Sequence, residues 1–164
     1  SLTAANPISG MAMAVLEFIE GGAGMDEIEA YAMELAQRTE TIFSVDSLDY
    51  LHKGGRIGAV GALFGNLLGI RPIIYLDKKG ELTIADKART RAKALRRMLE
   101  IGQRFAPFEA LYVAHAEASE DADFLQSSLK EMYPGVPVMV SGIGTVLAAH
   151  LGPKTIGIFL RRKR

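Results

Sequence analysis

Cysteine is absent and so is net charge: lysine plus arginine number 19, and aspartate plus glutamate number 19, in 164 residues. Without cysteine there is no disulfide, no thiolate nucleophile and no cysteine-based metal site, a usage that fits a reducing cytoplasm. A zero balance gives no global reason to expect nucleic acid as a partner. No apolar run approaches the roughly 20 residues that span a bilayer. The opening Ser-Leu-Thr-Ala-Ala-Asn-Pro lacks the basic start and long apolar stretch of a signal peptide. The chain also does not begin with methionine, so it reads as processed, trimmed or part of something longer. Internal repeats, low-complexity segments and an obvious linker are missing too. The one visible seam is Gly21–Gly24.

What is present is the composition of a globular domain with a core, 49% hydrophobic and 23% charged. Ile8, Met11, Val15, Leu16 and Ile19 recur at helical spacing until Gly21-Gly22 stops the run. Asp26 with Glu29 resembles a capping box for a second helix striped by Ile28, Tyr31 and Leu35. Thr41–Val45 is β-branched and aromatic, hence a strand. Leu48 to Gly69 is glycine-rich and predicts loop with a short helix at Val60–Leu68. Residues 73–76 and 82–85 flank Asp77-Lys-Lys-Gly80 as a hairpin. An amphipathic helix follows over Arg91–Phe105, then a strand at 111–114 and a helix capped by Ser119. Strands at 136–140 and 156–160 bracket Ser141-Gly-Ile-Gly-Thr145 and an apolar stretch ending at His150. The expected fold is α/β (α+β layered), a mixed β-sheet with flanking helices. Arg161–Arg164 reads as a disordered tail.

Few residues suggest chemistry. In Leu48-Asp-Tyr-Leu-His-Lys-Gly-Gly-Arg-Ile57, the adjacent Gly54 and Gly55 can aim backbone N–H groups into an anion-binding nest. Arg56 then offers a planar fork for carboxylate or phosphate. The alternative is a tight turn with a structural ion pair. His150 can meet a ligand oxygen or sit buried against backbone. His52 and His115 stand apart from any carboxylate cluster, so no metal site is expected. Gly152-Pro-Lys-Thr155 lacks phosphate-loop spacing, and Ser141-Gly-Ile-Gly lacks the order of a nucleophile elbow. Asp121 and Asp123 fall at a helix start, where negative charge suits the helix dipole. The basic run Lys87–Arg97 is either a solvated face or a docking surface for an acidic partner.

Phe43–Ile57, Leu67-Leu-Gly-Ile-Arg-Pro-Ile74, the Gly80 hairpin, Lys87-Ala-Arg-Thr-Arg-Ala-Lys93 and His150-Leu-Gly-Pro-Lys-Thr-Ile-Gly157 together resemble, in order, the motifs of the DegV family. Ser9-Gly-Met-Ala-Met-Ala-Val15 resembles the helix after that family's mid-chain Asp-Ser. The resemblance implies a two-lobed fatty-acid-binding protein of which residues 1–164 match the C-terminal lobe, with residues 1–24 including a helix that packs on an N-terminal lobe. It implies a long-chain fatty acid lying between the lobes, met here by Arg56, His150, Gly54, Gly55 and Ile57. Stretches 57–68 and 146–151 then line its tunnel. Lys154 stands where many members carry glycine.

The resemblance further implies a non-catalytic carrier, without cofactor, that presents the fatty acid to the catalytic subunit of a cytoplasmic fatty acid kinase for phospholipid synthesis. Arg89, Arg91 and Lys93 would contact that kinase, and peripheral membrane contact is compatible with a lipid cargo. Two rival expectations remain: a phosphate- or phosphosugar-binding enzyme using Gly54-Gly55-Arg56, and a purely structural lobe with an exposed apolar face.

Overall fold

A computed structural model of the chain describes residues 5–63 and 69–164. Its elements are α1 (Asn6–Glu20), α2 (Met25–Arg38), β1 (Thr39–Ser44), α3 (Asp49–Lys53), a 3-10 turn (Gly58–Leu63), β2 (Arg71–Leu76) and β3 (Leu82–Ala88). They continue as α4 (Arg91–Gln103), β4 (Phe108–His115), α5 (Ser119–Met132), β5 (Val138–Gly142), α6 (Thr145–Leu151) and β6 (Ile156–Arg162). The six strands form one mixed sheet in the order β3-β2-β1-β6-β4-β5. Only β4 and β5 pair in parallel, with α5 as the crossover between them. The chain thus forms the mixed α/β layer expected of it.

Alternation along the strands assigns two faces. Ile42, Ile73, Leu111, Val113, Ile156, Ile158 and Leu160 point toward α4 and α5 and form the larger core with Leu95, Met98, Leu125 and Leu129. Thr90 caps α4, its hydroxyl accepting the Lys93 N–H at 3.2 Å. Phe43, Ile74, Tyr112 and Phe159 point the other way, beneath smaller clusters that include Leu51, Leu151 and Ile143. That second face is covered by α1 at the β4 end and, where the site lies, by the short α3 and α6.

Several local expectations are corrected. Helix α2 begins one residue before Asp26, and the capping carboxylate is Glu27, which accepts the Gly24 N–H at 2.8 Å. Ser119 is already the first residue of α5, with Ala118 in the cap position; the Ala118 N–H is taken by His115 Nδ1 at 3.2 Å. Asp49–Lys53 is a helix where loop was expected, and Thr145–Leu151 is helical too. Of the helix expected at Val60–Leu68, residues 60–63 lie in the 3-10 turn, and 64–68 fall outside the described residues.

The basic C-terminus is not a tail. Arg161 and Arg162 complete β6, paired with Thr39 of β1 and Phe108 of β4. Arg161 Nε lies 2.7 Å from Glu109, and Arg162 Nε 3.2 Å from the buried Glu40 carboxylate. Arg164 grips both oxygens of Glu34 at 2.8 Å and lies over the Tyr31 ring. Carboxylates on other elements fix these cations, which sequence-local charge counting cannot reveal.

Candidate functional site

The site begins with how α3 ends. Ser47 Oγ accepts the Asp49 N–H at 3.0 Å, opening the helix. At its close Gly54 remains right-handed (φ −77°), and Gly55 turns left-handed (φ 68°). The Gly55 N–H reaches the His52 carbonyl at 3.0 Å, and the Arg56 N–H the Leu51 carbonyl at 2.9 Å. These two bonds define a Schellman closure, which needs a residue at ease with positive φ at Gly55. The Gly54 N–H is also taken, by the Tyr50 carbonyl at 2.9 Å. The expected anion-binding nest is therefore not formed, since all three N–H groups close the helix. What the turn does offer is Arg56 itself. Its exposed guanidinium donates to the Gly54 carbonyl at 2.6 Å.

Helix α6 supplies the second candidate. Gly152 (φ 83°) ends it, and Thr155 Oγ1 lies 3.0 Å from the Leu151 carbonyl and 2.8 Å from that of Gly152. Two missing side chains then lock α3 to α6. A Cβ on Gly54 would fall 2.5 Å from His150 Nδ1, and one on Gly152 would fall 2.4 Å from the Tyr50 ring. Each helix thus lays a ring over the other's terminal glycine. Among the described residues no group hydrogen-bonds the His150 ring, whose Nδ1 faces Gly54.

Arg56 and His150, far apart in sequence, both line one apolar cavity of about 230 Å³. Its floor is the second face of the sheet: Thr41, Phe43, Leu76, Gly157 and Phe159. Leu51, Leu147 and Leu151 wall it. Of the expected tunnel stretches, 146–151 contributes through Leu147, His150 and Leu151, whereas Val146 is 78% exposed. Ile57 is not part of the lining; it packs against the cluster that includes Phe43, Leu51 and Val60. The floor residues escape sequence reading, because each is one ordinary member of a strand's alternation and only sheet register brings them together.

Elsewhere, His115 is structural, its Nδ1 accepting the Ala118 N–H, and His52 lies within α3. Among the described residues no cluster of His, Cys, Asp or Glu could hold a metal ion. Arg91 is not a free surface cation. It reaches Asp121 of α5 through Nε at 2.7 Å and Nη2 at 2.5 Å. Arg97 likewise pairs with Asp86 and Glu100. Arg89, Lys93 and Arg96 face outward.

With the cavity and its cationic rim in place, comparison with known proteins is decisive. Residues 1–163 match the family model described as uncharacterised protein, DegV family. The chain belongs to the DegV family. A DegV domain-containing protein of Streptomyces coelicolor is 38% identical over 150 residues, covering 90% of this chain and 53% of the relative. One from Clostridium perfringens is 36% identical over 141 residues, covering 84% and 48%. The chain therefore spans about half the length of the curated relatives it matches.

Among solved structures, a DegV lipid-binding protein from Thermotoga maritima superposes with a TM-score of 0.82 at 30% identity, over 98% of this chain and 56% of that one. A fatty-acid-binding DegV family protein from Streptococcus agalactiae gives 0.85 at 26%, over 96% and 56%. Similar DegV folds thus bind fatty acids. No helix among the described residues is long and apolar enough to cross a membrane.

Proposed function

We propose that this chain is the C-terminal lobe of a two-lobed carrier that binds a long-chain fatty acid, with Arg56 and His150 holding its carboxylate at the mouth of the apolar cavity. The observation that carries the reading is that an exposed arginine and a part-buried histidine line the same, otherwise apolar, cavity. Each methylene taken from water contributes about 0.8 kcal/mol. A carboxylate drawn toward low dielectric needs charge-assisted partners, and an arginine fork with a histidine N–H supplies them. A cavity of about 230 Å³ is smaller than the ~300–1,000 Å³ of complete ligand sites, as half a pocket should be. The fatty-acid-binding neighbours named above support the same cargo.

Native mass spectrometry with lipid extraction tests this, applied to the 164-residue chain and to the longer polypeptide of which it is proposed to be a lobe. A fatty acid should co-purify with the longer form. Arg56→Ala should weaken its retention by roughly ten- to a hundredfold, the worth of a hydrogen bond to a charged group. A phosphorylated metabolite in place of lipid would overturn the reading.

The reading extends to a non-catalytic subunit that presents the carboxylate to a cytoplasmic fatty acid kinase. Of the basic residues expected at that interface, Arg89 and Lys93 are exposed and suit it, whereas Arg91 is engaged by Asp121. Charge reversal at Arg89 or Lys93 should lower kinase-dependent acyl-phosphate formation. Unchanged turnover in both variants would remove the assignment.

A further inference from the structure

An open sheet has two edges, and each presents N–H and C=O groups that can pair with a further strand. Here the edges are β3 and β5, and they are built differently. β3 carries Asp86 and Lys87, its pairing with β2 shifts register between Ile73 and Ile74, and the 3-10 turn packs against it. Charges, bulges and covering elements are the devices that guard an edge. β5 carries no charge: between Glu131 and Lys154 the sequence holds no aspartate, glutamate, lysine or arginine. Its parallel ladder with β4 runs without a shift from Val138 to Gly142. The Leu111 N–H reaches the Pro137 carbonyl at 2.9 Å, and the Ile143 N–H the His115 carbonyl at 2.8 Å. Residues 137, 139, 141 and 143 thus turn their main-chain groups to β4, and Val138, Val140 and Gly142 turn theirs outward. Of those outward groups, only the Val138 carbonyl meets a partner among the described residues, Gln126 Nε2 at 3.5 Å. The side chains are apolar on both faces. Val138 and Val140 continue the core beneath α5, and Met139, on the other face, is 41% exposed. Gly142 has no left-handed φ, and a Cβ there would meet nothing, so the chain itself makes no demand for glycine at that place.

We propose that β5 pairs antiparallel with β5 of a second copy, about a two-fold axis through Val140, joining two sheets into one. A second copy is the occupant because this edge is its own complement. A strand without charge meets no like charge in its copy. Its outward residues, spaced by two, also fall in register with themselves, Val140 against Val140 and Val138 against Gly142. That register closes about six main-chain hydrogen bonds and gives the Val138 side chain the open space beside Gly142. A two-fold axis normal to the sheet keeps like faces together, so the cavities of both copies open on the same side. None of this depends on what the cavities hold.

The test is sedimentation velocity on the longer polypeptide at up to about 100 μM, unsubstituted and as the Met139→Lys and Gly142→Pro variants. The unsubstituted protein should form a reversible dimer. Met139→Lys adds the kind of charge that guards natural edges, and Gly142→Pro deletes an outward N–H that the single copy leaves unused. Each should weaken the dimer at least about tenfold with the circular dichroism spectrum unchanged. Cysteine substitution reads the register, since the chain has no cysteine of its own. Under mild oxidation of the 164-residue chain, Val140→Cys should cross-link to its copy, the two Cα atoms facing each other at about 5.5 Å. Val138→Cys, about 13 Å from its copy, should not. A longer polypeptide that stays monomeric while retaining its lipid would overturn this proposal and leave the carrier reading standing. A dimer that neither variant weakens, or equal cross-linking at 138 and 140, would put the contact elsewhere and overturn it too.

Discussion

Gly54 shows how much a single absent side chain can arrange. Its backbone (φ −77°, ψ −4°) would accept an L-residue, so the demand for glycine comes chiefly from the His150 ring, with the Tyr50 carbonyl a further neighbour at 3.1 Å. Gly54→Ala should therefore destabilise by about 1–3 kcal/mol through overpacking. In a His150→Ala background most of that cost should vanish, and urea denaturation of the four proteins measures the coupling. Additive costs would mean that the ring does not sit where we describe it. Lys154 is the opposite case. It holds φ 59°, a conformation that costs a non-glycine residue about 1–2 kcal/mol. Lys154→Gly should gain about 0.5–1 kcal/mol after glycine's own entropy cost, and a rise in Tm of about 1–4 °C would register it.

Among the elements, α4 and α5 share one face of the sheet and are tied by Arg91 to Asp121, each side chain only about one-fifth exposed (21% and 23%). Arg91→Glu would set two carboxylates against each other there, and should cost about 2–4 kcal/mol. Arg89→Glu and Lys93→Glu, on the open side of the same segment, should stay within about 0.5 kcal/mol. Denaturant midpoints for the three variants separate a residue that holds the fold from residues free to meet a partner. A kinase defect in Arg91→Glu alone would then report on packing.

For the molecule as a whole, the two faces of the sheet are covered unequally. α4 and α5 close one face, while the helices beyond the other leave apolar side chains in water: Met13 59%, Leu16 51%, Met25 79% and Met33 52% exposed. Where such side chains lie together they form a surface that packs against another body. The 164-residue chain by itself should bind a hydrophobic dye and associate with increasing concentration in sedimentation velocity. Leu16→Lys with Met13→Glu should return it toward monomer. A chain that stays monomeric and dye-silent at high concentration would show that this surface is tolerated without a partner.

The sequence by itself determined the strands, the α4 and α5 helices, the hairpin at Gly80 and the family, because hydrophobic period, turn residues and ordered motifs are local signals. It also singled out Arg56 and His150, though not what joins them. Only the tertiary structure decided that Gly54 and Gly55 spend their N–H groups closing a helix, that Arg91 and the C-terminal arginines are held by distant carboxylates, and that Thr41, Phe43, Gly157 and Phe159 line one cavity. Those outcomes depend on which side chain stands across from which. Strand register and helix docking set that, and neither is written in the spacing of residues along the chain.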